Sequence, residues 1–218
     1  MASRSGAAPQ TGVTRALAVR SDVPMDRPDG SAPFPIPTRA HLSDGVVVLR
    51  APRPSDEAAI VAAANDPDVA RFTMVPVPYG VSDAHEFVGR AAENWATGQF
   101  IFAIADAATD ELLGMCGLHD RETGGLAGGA AEIGYWLAPA ARGAGVMTRA
   151  LTLVCQWAFD AMPLERISWW ALVGNTSSRA VAERVGFQFE GTVRRGKLQR
   201  GQRVDAWIAG LLREDLTS

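Results

Sequence analysis

The segment from Trp136 to Thr148 (WLAPAARGAGVMT) combines three features that together could bind an anion. An apolar strand pattern ends, a turn rich in glycine and alanine follows, and a helical pattern begins. The first N–H groups of a helix have no acceptor within the helix, so they and the helix dipole attract a phosphate. Gly143, Ala144 and Gly145 carry little or no side chain, which lets phosphates approach the backbone. The segment therefore predicts a pyrophosphate-binding turn.

Three phosphate-binding motifs compete for this turn. A Walker A loop requires Gly-Lys-Ser/Thr, and the turn has no lysine, so that motif is excluded. A dinucleotide-binding fingerprint requires a third glycine, which residues 143–148 (GAGVMT) lack, and no βαβ unit with a suitably placed acidic residue supports it. The third pattern, Q/R-x-x-G-x-G/A, is typical of loops that bind acyl-CoA. It matches Arg142 and Gly145 and departs from the pattern at Met147.

A second block, residues 175–187 (NTSSRAVAERVGF), follows a predicted strand and has the pattern of a helix. Helical spacing puts Ser178 on the same face as apolar residues, so its hydroxyl is predicted to point inward beside the Asn175 side chain. Inward-facing polar groups need hydrogen-bond partners. Helix capping by Asn175 and Ser177 would also explain the pattern. Together with the turn at Arg142, the block favours a functional role.

With these two blocks the sequence resembles the GNAT superfamily of acyl-CoA N-acyltransferases over residues 45–216. The resemblance depends on residues 131–150 (AEIGYWLAPAARGAGVMTRA), 175–187 and 189–194 (FEGTVR), which are similar to the branch that contains the ribosomal-protein N-terminal acetyltransferases. It implies a sheet that splays between the strand ending at Leu137 and the strand 167–173, with pantetheine in that cleft. The implied cofactor site comprises Trp136, Leu137, Arg142, Gly143, Ala144, Gly145, Val146, Met147, Thr148, Asn175, Ser178 and Arg179.

Acyl transfer by this family requires a neutral amine, and a general base helps to produce one. At pH 7 deprotonation costs about 4.6 kcal/mol for a lysine of pKa ~10.4 and about 1.1 kcal/mol for an α-amine of pKa ~7.8. Glu132, on the strand that faces the cleft, is the first candidate base, because some relatives carry a catalytic glutamate in this strand. Asp205, His119 or a chain of waters could replace it, and a purely structural glutamate is the other interpretation.

The departing thiolate needs a proton or a hydrogen bond, and the resemblance places Ser178 to supply it. Asn175 would hold the pantetheine or a water molecule. Many relatives use a tyrosine as the acid, but the only tyrosines, Tyr79 and Tyr135, both precede Asn175. This order along the chain favours Ser178 as the third catalytic residue beside Glu132 and Asn175.

A local basic cluster interrupts an otherwise acidic chain. Its members are Arg194, Arg195, Lys197, Arg200 and Arg203. The cluster could complement an acidic acceptor or an acidic acyl group such as succinyl, or it could form a solvated hairpin.

Composition excludes several other classes of function. The 24 acidic and 21 basic residues give a net charge of −3, whereas proteins that bind nucleic acid usually have a basic excess. Apolar runs stay far below the ~20 residues of a membrane span, so neither nucleic acid nor a membrane is predicted as a partner. Cys116 and Cys155 lack the spacing of redox or metal sites and the histidines are dispersed, which predicts no metal and a reducing, cytoplasmic environment.

The elements that must position these groups are predicted from apolar periodicity and turn residues. Residues 1–43 hold six of the 13 prolines and predict a flexible tail, which leaves 44–218 as one domain. The predicted strands are 45–50, 100–105, 112–118, 131–137, 167–173, 187–193 and 204–212, and the predicted helices are 55–64, 82–97, 145–160 and 176–185. With the resemblance, this order predicts an α/β (α+β) fold whose mixed, mostly antiparallel sheet is splayed in a V between helices on both faces.

The sequence therefore predicts an enzyme that transfers an acetyl or short acyl group, such as succinyl, directly from acyl-CoA to a primary amine without a metal. The acceptor could be a protein N-terminus, a lysine or a small-molecule amine. A non-catalytic sensor of acyl-CoA, or an interaction module on the same fold, is the alternative. By resemblance alone, exposed strand edges would allow a homodimer.

Overall fold

The structure, a computed structural model, describes residues 37, 39–96, 98–119 and 129–216. Most of the predicted tail lies outside these residues, so the division at residue 43 stays a prediction. The strands are β1 Leu42–Ser43, β2 Val47–Arg50, β3 Phe100–Asp106, β4 Leu112–His119, β5 Ala130–Leu137, β6 Arg166–Leu172, β7 Gln188–Gln199 and β8 Gln202–Leu211. The α-helices are α1 Glu57–Ala64, α2 Pro67–Phe72, α3 Val81–Ala96, α4 Val146–Ala161 and α5 Thr176–Val185.

The strands form one mixed sheet in the order β1-β2-β3-β4-β5-β6-β8-β7. Within the described residues, β5 and β6 are the only parallel neighbours, and the other pairs are antiparallel. Parallel neighbours need a crossover connection, and α4 lies on that crossover. The predicted fold class, a mostly antiparallel mixed sheet in a single α/β domain, is confirmed.

Apolar side chains pack on both faces of the sheet. The larger cluster includes residues of α4 and α5, and the smaller one includes residues of α1 and α3. Alternation along β5 places Ile133, Tyr135 and Leu137 in the larger cluster and Trp136 in the smaller one, as the strand period predicts. Side chains of β5 therefore reach both sides of the sheet, which matters for the site described below.

Helix α2 is absent from the sequence prediction, which expects a loop after Asn65-Asp66-Pro67. The same residues end α1 and begin α2. Asp66 has an extended backbone, and its carboxylate accepts hydrogen bonds from the N–H groups of Asp68 and Val69 at 3.2 and 3.1 Å. Pro67 occupies the first turn, where a missing N–H costs nothing. The cap therefore specifies a short helix that lacks a long apolar period.

The last two strands are longer than predicted and form one hairpin. The sequence predicts strands at 187–193 and 204–212, whereas β7 and β8 continue to Gln199 and from Gln202. The register shifts between Val193 and Lys197, where Arg195 has a φ of 52°. The Arg195 N–H donates to Asp205 Oδ1 at 2.7 Å, so the irregular part of β7 stays tied to β8.

Candidate active site

The sheet opens between β5 and β6. The two strands pair from Ala130 opposite Arg166 as far as Ile133 opposite Trp169, and no later pair joins them in the described chain. Each strand keeps its other neighbour, because Leu137 still pairs with Gly114 of β4 and β6 still pairs with β8. The facing edges of residues 134–137 and 170–172 therefore diverge, which confirms the splay that the sequence predicts.

The turn between β5 and α4 presents exposed backbone beside this cleft. Residues 142–145 are exposed, and Gly143 and Gly145 have φ values of 79° and 74°, which suit glycine best. Gly145 is the N-cap of α4, so the first N–H groups of the helix point out at this turn. Met147, which departs from the sequence motif, is only 3% exposed and packs in the core. Its side chain therefore does not obstruct an anion at the turn.

Arg142, at the first position of the turn motif, is held by the N-terminus of α2. Its Nη2 donates to Asp66 Oδ1 at 2.5 Å and to the Leu137 carbonyl at 3.3 Å. Its Nη1 donates to Asp68 Oδ2 at 3.3 Å. The hydrogen bond from Arg142 lowers the pKa of Asp66, with help from the backbone N–H groups that it caps. The arginine thus joins the turn to α2, a link that the sequence did not reveal.

On one side of the splay, two hydroxyls and an indole form a closed hydrogen-bond network. Trp169 Nε1 donates to Ser178 Oγ at 3.1 Å, and Ser178 Oγ donates to the Tyr135 hydroxyl at 2.9 Å. The Tyr135 hydroxyl donates in turn to the Ser178 carbonyl at 3.0 Å. Burial raises the pKa of Tyr135, so this phenol stays protonated. Ser178 points inward as predicted, and its partner is Tyr135, which the order along the chain does not predict.

On the opposite face of β5, Glu132 forms a charged cluster. Lys197 Nζ of β7 donates to both carboxylate oxygens, at 3.1 and 3.0 Å, and lies 4.5 Å from the Trp170 ring centroid. His119 Nε2 lies 3.8 Å from Glu132 Oε1, which is too long for a hydrogen bond. Burial raises the pKa of Glu132, but Lys197 and His119 outweigh burial, so that the net pKa is lowered from 4.5.

Members of the predicted basic cluster lie in three different surroundings. Lys197 contacts Glu132, and the Arg200 guanidinium donates to the carbonyls of Ala70 and Val75 at 2.6 and 3.3 Å. The tip of the β7–β8 hairpin therefore rests on α2 and the segment after it. A cavity of about 480 Å³ lies beside this contact, lined by Arg71, Phe72, Leu172, Val173, Arg195, Gln199, Arg203, Val204 and Asp205. Three arginines and one carboxylate give it a net positive lining.

The remaining predicted residues are placed as follows. Asn175 caps α5, because its Oδ1 accepts from the Ser178 N–H at 3.2 Å. Arg179 pairs with Glu183 at 2.7 Å and stacks on Phe189 at 3.9 Å. These contacts engage the Arg179 guanidinium within the protein, so its role in cofactor binding stays a prediction. Asp205 accepts a hydrogen bond from the Arg195 N–H and lines the cavity.

No three His, Cys, Asp or Glu side chains among the described residues come together in a group that could hold a metal ion. Among the described helices, none combines the length and apolar character that crossing a membrane requires. Cys116 and Cys155 are buried free thiols, and burial raises the pKa of both, which makes them poor nucleophiles.

Residues 47–188 match the family model described as an acetyltransferase (GNAT) domain. The chain is 38% identical over 104 residues to YdaF of Bacillus subtilis (strain 168), provisionally named a ribosomal N-acetyltransferase; the match covers 48% of this chain and 55% of YdaF. It is 34% identical over 117 residues to YjcK of the same organism, provisionally named an N-acetyltransferase, covering 54% of this chain and 64% of YjcK. The chain thus spans less than two thirds of the length of these relatives.

Two solved structures share the fold. Mycobacterium smegmatis RimJ in complex with CoA-disulfide is 28% identical with a TM-score of 0.69, and the match covers 80% of this chain and 85% of RimJ. The apo form of RimL, a ribosomal L7/L12 α-N-protein acetyltransferase, is 22% identical with a TM-score of 0.68, covering 83% of this chain and 98% of RimL. At that identity the second similarity concerns the fold alone.

Proposed function

Because the chain belongs to the GNAT acetyltransferase domain family, we propose that it transfers the acetyl group of acetyl-CoA directly to the N-terminal amine of a protein. The observation that carries the proposal is the arrangement around the opening of β5 and β6. A carboxylate, Glu132, lies on one face of β5, and the hydroxyls of Tyr135 and Ser178 lie on the other. Attack of an amine on a thioester needs a proton acceptor and a proton donor of this kind.

The turn at residues 142–148 would hold the pyrophosphate of acetyl-CoA. Its exposed backbone, the free N–H groups of α4 and the absence of bulky side chains at Gly143 and Gly145 fit such an anion. The diverging edges of β5 and β6 would accept the pantetheine arm through backbone hydrogen bonds. The bound thioester supplies the electrophilic carbonyl and the thiolate leaving group.

The protein's own groups would then act in order. Glu132 accepts the proton of the incoming amine, and an N–H of the divergent edge near Trp136 or Leu137 stabilises the negative charge on the carbonyl oxygen. The Ser178 hydroxyl turns from Tyr135 to the departing sulfur, while Trp169 continues to donate to Ser178 Oγ. Burial makes both thiols poor nucleophiles, which supports direct attack by the amine without a covalent enzyme intermediate.

The ionisation of Glu132 favours an α-amine over a lysine side chain as acceptor. A carboxylate with a lowered pKa is ionised at pH 7 but is a weak base. Deprotonation costs about 1.1 kcal/mol for an α-amine and about 4.6 kcal/mol for a lysine. A weak base is sufficient for the first and makes transfer to the second slow. The name of YdaF, provisionally a ribosomal N-acetyltransferase, supports a ribosomal protein as the acceptor.

The cavity of about 480 Å³ would receive the acceptor chain. It lies at the ends of β6 and β8, where the sheet opens, and Arg71, Arg195 and Arg203 line it against the single carboxylate of Asp205. Arginine pairs well with carboxylates, so an acceptor with acidic residues after its N-terminus should be preferred. Lys197 and Arg200 contact groups of the protein itself, whereas Arg195 and Arg203 line the cavity. We therefore assign the basic cluster to acceptor binding rather than to recognition of a succinyl carboxylate.

A peptide assay with several acyl donors tests this proposal. Transfer from acetyl-CoA to a peptide with a free N-terminus and acidic residues at positions 2–4 is expected, with slower transfer to the matched basic peptide. An Nα-blocked peptide with one lysine should be a poor acceptor. Equal transfer from succinyl-CoA would contradict the acetyl preference. Stabilisation by CoA in a thermal melt without transfer to any amine would favour the alternative function, a non-catalytic acyl-CoA sensor.

A further inference from the structure

Lys197 is the only lysine in the 218-residue sequence, and every other member of the 21 Lys+Arg residues is an arginine. The distinction matters chemically. An arginine guanidinium stays protonated in proteins, whereas a lysine ammonium can lose its proton and become a nucleophile. Lys197 therefore carries the only side-chain amine of this chain that could be acylated.

That single amine lies against the proposed general base. Lys197 Nζ is 3.1 and 3.0 Å from the two oxygens of Glu132 and 4.5 Å from the Trp170 ring centroid. Trp170 is the first residue of β6 after its last pair with β5, so the ammonium lies where the strands separate. The side chains of Lys197 and Glu132 are 27% and 17% exposed, so neither is fully buried. Its position is the one that an acceptor amine must occupy to be deprotonated by Glu132.

We propose that Lys197 is a self-acetylation site of this protein, an inference that rests on the proposed acetyltransferase function. Glu132 takes one proton from the Lys197 ammonium, and Nζ attacks the carbonyl carbon of acetyl-CoA. A C–N bond forms and the C–S bond breaks. Ser178 relays the second proton lost from Nζ to the thiolate, which leaves as CoA-SH. The products are one Nζ-acetyl-lysine, one free CoA and the proton held by Glu132, which is released to solvent. The reaction is slow, because the ammonium has to lose its proton to a weak base.

Acetylation would change the base that performs it. The amide product is neutral, so it cannot form the ion pair with Glu132, and His119 of β4 remains as the neighbouring titratable group. Burial raises the pKa of Glu132 and the Lys197 ammonium lowers it, so the pKa would rise once that charge is lost. The carboxylate would become a stronger base, and the position in front of it would be free for an external amine. Self-acetylation is thus expected to activate transfer to peptides.

Incubation of the full-length protein with acetyl-CoA alone tests the site. Intact-mass measurement and peptide mapping should find one added acetyl group on the peptide that contains Lys197, at a rate independent of protein concentration. Lys197→Arg should remain unmodified there, and Glu132→Gln should lose at least ten-fold in rate. The double variant Lys197→Arg, Arg194→Lys supplies a matched control, because position 194 is exposed in the same hairpin and its lysine should stay unmodified.

Peptide transfer is measured on the same samples, so the two proposals can fail separately. Acetylated acceptor peptide with unmodified Lys197 would overturn self-acetylation and leave the acetyltransferase function standing. Acetyl-Lys197 without peptide transfer would leave the modification and overturn the proposed acceptor. Modification of the lysine at position 194 at the rate of Lys197, or no effect of Glu132→Gln, would show chemical acetylation by the thioester and overturn the site. Pre-acetylated protein should transfer to peptide several-fold faster than the untreated protein.

Discussion

The two faces of β5 carry polar clusters of opposite character. On one face, Tyr135, Ser178 and Trp169 form a neutral network in which each of the three donor hydrogens has an acceptor within the protein. On the other face, Glu132 is paired with the ammonium of Lys197, and the buried His119 Nε2 has no hydrogen-bond partner. Both clusters flank the last pair of β5 with β6, so the same opening in the sheet separates them.

We infer that the neutral face positions a hydroxyl, whereas the charged face transfers protons. A satisfied neutral network is rigid, and its groups cost little to bury, so it can hold a hydroxyl ready for a leaving group. In a charged cluster whose charges are not fully compensated, the loss of one member changes the pKa values of the others. We therefore expect changes on the charged face to affect turnover most, and changes on the neutral face to affect turnover and stability together.

Glu132→Gln should have the largest effect, since it removes the proton acceptor and keeps the shape of the side chain. We expect peptide acetylation to fall by about 10²–10⁴-fold, the usual contribution of a general base. Binding of CoA, followed by thermal shift, should be unchanged. Glu93→Gln, an exposed change on α3, is the control and should retain full activity. Full activity of Glu132→Gln would mean that a water chain or another group removes the proton.

On the neutral face, Ser178→Ala should reduce turnover by ~10-fold and lower the free energy of unfolding by about 1–3 kcal/mol. The change leaves Trp169 Nε1 without its acceptor and Tyr135 without the hydroxyl that donates to it. Tyr135→Phe keeps the indole bond to Ser178 Oγ, so its loss of activity should be smaller. Ser177→Ala, an exposed neighbour, is the matched control for chemical denaturation and peptide assays. A larger loss in Tyr135→Phe would make the tyrosine the proton donor.

Arg142→Gln should have a smaller effect that appears in the KM for acetyl-CoA. The guanidinium holds the turn through Asp66 and Asp68, and surface ion pairs contribute about 0–1 kcal/mol, which corresponds to a rise in KM of at most ~5-fold. The kcat should change little, because neither face of β5 is altered. Arg213→Gln, which breaks an exposed ion pair with Asp160, is the control. A fall in kcat without a change in KM would place Arg142 in the chemistry instead.

The sequence was informative about elements and much less so about contacts between them. The bounds of α5 and the facing pattern of β5 follow from local periodicity, and both agree with the structure. Helix α2 is not predictable from periodicity, because its six residues carry no clear period and its cap uses the Asp66-Pro67 pair that also ends α1. Residues 42–43, at the end of the predicted tail, form β1, a two-residue strand that pairs with β2 and has no periodic pattern to reveal it.

Long-range partners could not be predicted in the same way. Lys197 follows Glu132 by 65 residues, and Tyr135 precedes Ser178 by 43, so each pair forms only when the sheet has assembled. Helical spacing predicts the inward direction of Ser178. It does not predict the partner Tyr135, because order along the chain has no bearing on distance in the fold. The residue counts do distinguish Lys197, because it is the single lysine of a chain whose other basic residues are arginines.

The smallest expected effect is a shift in the titration of Glu132 when the charge of Lys197 is removed. In the native protein the folded pKa lies below the ordinary 4.5, so ionised Glu132 stabilises the fold above pH 4.5 and loses that contribution as pH falls through the folded value. Lys197→Gln removes the cation and leaves burial opposed by His119 alone, so the folded pKa should rise. NMR titration of the Glu132 carboxyl carbon, assigned with Glu132→Gln, measures the shift directly.

Lys197→Arg keeps a cation, so Glu132 in this variant should titrate as it does in the native protein. An unchanged titration in Lys197→Gln would mean that His119 rather than Lys197 controls Glu132, and the contrast between the two faces of β5 would then depend on β4 instead of the β7–β8 hairpin.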